Sequence, residues 1–234
     1  CDLVALLHGD PADPTLVLHG ADGSPRDTMV WHFPNSIALE STIREGDFKL
    51  VRNYDHLNNQ GTPELELYRL YQTADGKQTR VDIEESNNLA VSMPEKAQQM
   101  NARLTEILTE MQASYPYYNP SFRNALPNKE SVCKALKHEQ KGTTVEVAYE
   151  EHGAKVTRAN LLYTLNGGKK SEEWFRIPAS LLPGMKASAE LPEGTTHYVI
   201  NLIDENNFLV SHPDVPGQST MGKDKVKYST VAIE

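Results

Sequence analysis

His32 is the side chain best placed to do chemistry, in Trp31-His32-Phe33-Pro34-Asn35. An imidazole positioned by rigid backbone at a strand end can contact a bound substrate, which makes His32 a candidate substrate contact. The same ring suits a hydrogen bond inside a sheet. Asn35, in the loop after Pro34, is a second candidate for a substrate subsite. Arg44 and Asp47 offer a guanidinium fork beside a turn carboxylate, either as an anion site or as a pair across a hairpin. Lys49 and Arg52 read as solvated charges on a strand face. Further along, Trp174, Phe175, Tyr198 and Phe208 could form an aromatic face for a sugar or a buried core. His197 and His212 stand alone, without ligand spacing for a metal. Asp204-Glu205-Asn206-Asn207 reads as a turn, because the ligand alternation of a calcium loop is missing. No nucleophile–base set, paired acids or phosphate loop stands out, so no residue of this chain is assigned a catalytic role and none a metal.

These residues need elements to hold them. Residues 28–34 are β-branched and aromatic and stop at a proline, which predicts a strand. Residues 41–43 and 48–53 flank Glu45-Gly46-Asp47, the turn chemistry of a hairpin, and 65–71 supplies a fourth strand. A helix is expected over 93–113, with Ser92 as its cap and Glu95 completing a capping box. Along it, Ala97, Met100, Leu104, Ile107, Leu108 and Met111 recur at helical spacing, so one stripe should cover the sheet, with Met100, Leu104, Leu108 and Met111 buried. The helix should stop before Tyr115-Pro116. The pattern then changes to short strands, expected at 143–149, 156–165, 174–178, 186–191, 197–203, 208–211 and 225–233. Such spacing suggests an immunoglobulin-like or fibronectin-like sandwich.

The fold class is therefore α+β, followed by an all-β sandwich. A small four-stranded antiparallel sheet packed by one amphipathic helix comes first. Residues 1–26 are expected to be a connector, 27–125 the sheet–helix unit and 126–234 the sandwich. The net charge of −9 is scattered and no basic stripe occurs, which argues against nucleic acid as a partner. No apolar run is long enough to span a membrane. Cys1 and Cys133 give neither a disulfide framework nor a paired metal spacing, and so leave the compartment open. The chain starts at Cys1 without an initiator Met and is expected to be part of something longer.

Four pieces occur in order: Trp31-His32-Phe33-Pro34, then Ile43-Arg44-Glu45-Gly46-Asp47-Phe48-Lys49-Leu50, then Glu66-Leu67-Tyr68-Arg69-Leu70, then Asn88-Leu89-Ala90. The amphipathic helix, with Pro94-Glu95-Lys96, follows them. This order resembles the C-terminal subdomain of type I sulfatases, with W-H-F-P, I-R-x-G-D-[YF]-K-L, E-L-Y-x-L and N-L-A. Asp2 to Leu7 is similar to the D-[LV]-x-x-L-L-x-G segment ahead of that subdomain. Two departures are local. Residues 72–86 run longer than the usual turn, and Asn35-Ser36 stands where many relatives carry His-Tyr.

The resemblance implies a parent that hydrolyses a sulfated carbohydrate or other sulfate ester, with formylglycine as nucleophile and calcium as cofactor. It places the parent in the periplasm or outside the cell. Formylglycine arises in a C-x-[PA]-x-R context, and neither Cys1-Asp2-Leu3-Val4-Ala5 nor Cys133-Lys134-Ala135-Leu136-Lys137 fits it. No calcium-ligand segment matches either, and His19-Gly20-Ala21-Asp22 reads as loop. This chain, on that reading, is the back end of an enzyme. It is expected to be silent alone, to carry no cofactor, and to partner the catalytic domain that handles the sulfate ester. The alternative is a stand-alone carbohydrate-binding or protein-interaction module.

Overall fold

A computed structural model describes residues 26–35, 38–59, 61–121, 125–169, 171–213 and 229–231. Residues 1–25 of the expected connector, with its Cys1 and His19–Asp22 features, Ser36, and most of the strand expected over 225–233 lie outside the described residues. The chain forms two compact units, Cys1–Pro116 and Tyr117–Glu234. The division falls ahead of residue 126. The reason is local: Tyr118 bridges to Phe208, and both pack with Leu126 and Val132.

In the first unit, β1 (Thr28–His32), β2 (Glu40–Glu45), β3 (Phe48–Asn53) and β4 (Leu65–Arg69) form an antiparallel sheet in the order β1-β2-β3-β4. Gly46 supplies the positive φ that the β2–β3 turn requires, at 56°. The register aligns Val30, Ile43, Leu50 and Leu67 on one face. Helix α1 (Pro94–Glu110) covers that face with Ala97, Met100, Leu104 and Leu108. Met111 instead stands 64% exposed, because the helix has already ended when the stripe reaches it.

Both helix ends differ from expectation. Ser92 does not cap; its hydroxyl donates to the Leu89 carbonyl, and Met93 becomes the N-cap without a side-chain bond. At the other end Gln112 takes a positive φ of 51°. Gln112 N–H then donates to Thr109 and Ala113 N–H to Leu108, a Schellman closure that ends the helix before Pro116 can act. The long 72–86 segment contains a hairpin of its own, β5 (Tyr71–Ala74) and β6 (Lys77–Arg80). Asp75-Gly76 turns it, with positive φ at both residues.

The second unit is a large, nearly closed antiparallel sheet in the order β13-β12-β9-β10-β11-β8-β7. Its strands are β7 (Lys134–Lys141), β8 (Thr144–Glu150), β9 (Val156–Thr164), β10 (Trp174–Leu182), β11 (Lys186–Glu190), β12 (His197–Asp204) and β13 (Leu209–His212). β14 (Ser229–Thr230) also pairs with β12. Strand β10 changes partner along its length: residues 174–179 pair with β9 and residues 180–182 with β11. Val145, Val147, Leu161, Ala187, Tyr198 and Leu202 meet in the core.

Candidate functional site

His32 is the last residue of β1 and lies opposite Ser41 of β2. Its Nε2 is 2.8 Å from the Ser114 carbonyl, so that nitrogen carries the proton and donates. Its Nδ1, 2.6 Å from Ser41 Oγ, is left as the acceptor of the Ser41 hydroxyl proton. Ser41 Oγ in turn accepts from Tyr54 OH at 2.9 Å. The rings of Tyr54 and Tyr115 stand edge-on to the imidazole, at centroid distances of 6.4 and 5.8 Å.

A serine hydroxyl donating to a histidine that is oriented by a third group has the pattern of an activated nucleophile. Burial argues against that use here. Ser41 is 1% exposed, so an ester could not reach its oxygen without opening the sheet. Both His32 nitrogens are already engaged. The cluster fastens the end of β1 to β2, to the Tyr54 loop and to the chain just past α1. Asn35 lies apart from it, exposed, with its backbone N–H donating to Phe33 and a bridge to Ala38.

Arg44 and Asp47 do not pair with each other. Asp47 accepts from Thr73 through N–H and hydroxyl, at 2.9 and 2.6 Å, and Arg69 is 3.8 Å away. The Thr73 bonds, with help from Gln78 and Arg69, hold the Asp47 carboxyl below the usual carboxylate range. Asp47 thereby ties the β5–β6 hairpin to the β2–β3 turn. Arg44 lies instead over the Tyr71 ring, 4.7 Å from its centroid. Lys49 and Arg52 are clasps rather than solvated charges. Lys49 pairs with Glu85 at 2.6 Å, while Arg52 donates to Asn101 and Thr105 on the helix.

The sheet face away from α1 is therefore divided. Over β3 and β4, Val51, Tyr68 and Leu70 are buried with Tyr71 against them. Over the outer half, Met29 and Trp31 are 48% and 49% exposed, and Phe33 beyond the strand is 72% exposed. Met29 is directly opposite Arg44 in the β1–β2 register.

In the second unit, Tyr198 and Phe208 are core residues. Trp174 is half-buried and donates to Glu172, while Phe175 is exposed beside Tyr163. These four aromatics do not make one face. Asp204 shapes the turn: its Oδ1 accepts from Asn206 and Phe208 N–H, both at 2.9 Å. Its Oδ2 is buried with no hydrogen-bond partner among the described residues. Burial raises the Asp204 carboxyl above its usual range. It also pushes the Cys133 thiol to about 11, with Asp204 and Glu151 adding to the effect, so Cys133 is an inert core thiol. His212 meets a partner not anticipated from sequence: His138 Nδ1 lies 2.9 Å from His212 Nε2, joining β7 to β13. Among the described residues no group of three or more His, Cys, Asp or Glu is arranged to hold a metal.

Sequence reasoning missed Ser41, Tyr54, Tyr115 and His138. Only the strand register reveals Ser41 as the partner of His32. Compared with known proteins, the chain matches no family model and no curated protein sequence.

Proposed function

We propose that this chain is the C-terminal part of a formylglycine-dependent type I sulfatase, a sulfuric ester hydrolase. The observation that carries the reading is that the four motif pieces become successive parts of one unit. Trp31-His32-Phe33-Pro34 closes β1, Ile43 to Leu50 forms the β2–β3 hairpin, and Glu66 to Leu70 lies on and just beyond β4. Asn88 then gives N-L-A a physical purpose. Its Oδ1 accepts from Leu67 N–H at 3.1 Å and Ala90 N–H at 2.9 Å, tying β4 to the approach of α1.

The unit's role in such a parent is to pack against the catalytic domain. The apolar half-face at Met29, Trp31 and Phe33 supports this, since a partner domain would cover it. The second unit fits an immunoglobulin- or fibronectin-like accessory sandwich, because the partner change in β10 at residues 179–180 divides β13-β12-β9 from β11-β8-β7. Formylglycine and calcium belong to the preceding domain on this reading, as does contact with the sulfated substrate. The parent would work in the periplasm or outside the cell. His32 then acts as a fastener of the sheet, and Asn35 stays the candidate substrate contact, exposed in the loop after β1.

The test is turnover of 4-nitrophenyl sulfate by the whole reading frame and by this chain alone. The whole product should release sulfate and the chain alone should not. Turnover by the purified chain that disappears on substituting one of its own residues would overturn the assignment.

A further inference from the structure

The strand order of the second unit has two ends, β13 and β7, and no backbone ladder joins them among the described residues. They meet through side chains. His138 Nδ1 of β7 lies 2.9 Å from His212 Nε2 of β13, with the rings inclined at 67°. At that distance one facing nitrogen carries a proton and the other accepts it. One extra proton leaves the bond intact, since an imidazolium still donates to a neutral ring. A second extra proton puts hydrogen on both facing nitrogens, and two cations then meet with no acceptor between them.

The surroundings do little to relieve that repulsion. Val147 stands opposite His138 in the β7–β8 register, and Ile200 stands opposite His212 in the β12–β13 register. From β12 the Tyr198 ring lies edge-on to His138 at 5.7 Å, with its hydroxyl toward Gln140. Cys133 and Tyr149, in the same core, titrate above their ordinary ranges and stay neutral in mild acid. The charges of β7 point to its other face: Glu139, adjacent to His138, pairs with Lys137 and Lys141. On that outer face Glu139 stands opposite Glu146, which pairs with Lys186 of β11. Burial holds His138 below its ordinary value of 6.5. Its contribution to stability is therefore present above 6.5 and is lost as pH falls through the folded value. Two nitrogens do not make a metal centre, and no third ligand joins them among the described residues.

We propose that the His138–His212 pair is a proton-operated latch at the edge of the second unit. With at most one extra proton it closes β7 against β13, and with two it releases them and opens the core beside Tyr198. The β7–β8 and β12–β13 ladders use neither ring, so release parts the two edges without unfolding the strands.

The test is hydrogen exchange of the whole chain, read by mass spectrometry on peptides from β7 and β13, from about pH 7.5 to about pH 4.5. Corrected for intrinsic exchange, protection there should fall roughly tenfold per pH unit below the second protonation, while β9 stays protected. The His138→Asn/His212→Gln double variant puts amides where the facing nitrogens stand, and these gain no proton. Its β7 and β13 peptides should keep their protection across the range. Protection independent of pH in the unsubstituted chain overturns the proposal. So does an equal loss in the double variant, or an equal loss in β9, which would be general acid unfolding. Imidazole nitrogen chemical shifts of the unsubstituted chain decide the matter even if the double variant does not fold. The pair should take up protons in two separated steps, the second coinciding with the loss of protection. Two rings titrating independently near 6.5, with β7 and β13 still protected, would overturn it.

Discussion

Replacing His32 with Ala tests whether its cluster fastens the sheet. The substitution removes the 2.8 Å bond to Ser114 and the 2.6 Å bond from Ser41. Ser41 is 1% exposed, so its hydroxyl proton loses its acceptor where water does not reach freely. An orphaned buried donor costs about 1–3 kcal/mol. Two edge-on contacts, to Tyr54 and Tyr115, are lost as well. Aromatic pairs contribute about 0.5–1.5 kcal/mol each, and an imidazole sits toward the low end of that range. The expected loss is therefore roughly 2–4 kcal/mol. For a unit of this size that lowers the melting point by roughly 10 °C or more. Asn35→Ala is the control, since its side chain is exposed; it should stay within about 0.5 kcal/mol. Urea denaturation of both variants, followed by tyrosine and tryptophan fluorescence, reads the difference. A His32→Ala protein as stable as the control would refute the fastening role and return His32 to the list of substrate contacts.

Other substitutions test the core and the buried acid. Leu104→Ala, at a position with no exposure, should cost about 2–5 kcal/mol, whereas Met111→Ala should be near neutral; equal effects would mean that the wrong helix face is buried. Asp204 has a raised folded-state pKa, so the folded chain holds its proton more tightly than the unfolded one. Its contribution to stability therefore falls as pH rises from the unfolded value of 3.8 through the folded one. Asp204→Asn keeps the Oδ1 acceptor of the turn and should gain on the parent chain as pH rises through that window. Urea midpoints for the two proteins that run parallel from pH 3.5 to 7 would rule this out.

The strands of the first unit were legible because alternation, a glycine turn and a proline stop agree with one another. β3 (Phe48–Asn53) falls where its pattern places it. β7 (Lys134–Lys141) was not legible. Its Lys, Glu and Gln content favours a helix or solvent, and pairing with β8 overrides that preference. The β5–β6 hairpin did carry its signal, Asp75-Gly76, inside a segment otherwise read as a long loop. The roles of charged residues were least legible. Asp47 bonds Thr73, a residue far along the chain, and nothing in local spacing announces that partner. His32 and Ser41 come together only through register, and His138 and His212 only through closure of the sheet.

The central claim is that this chain completes a sulfatase. The most direct measurement is the sequence of the reading frame upstream of Cys1. The account predicts an in-frame catalytic domain of about 300 residues, large for one domain but ordinary for an α/β enzyme, containing C-x-[PA]-x-R and an early Asp-Asp pair. A stop codon or an unrelated domain at that position would contradict it.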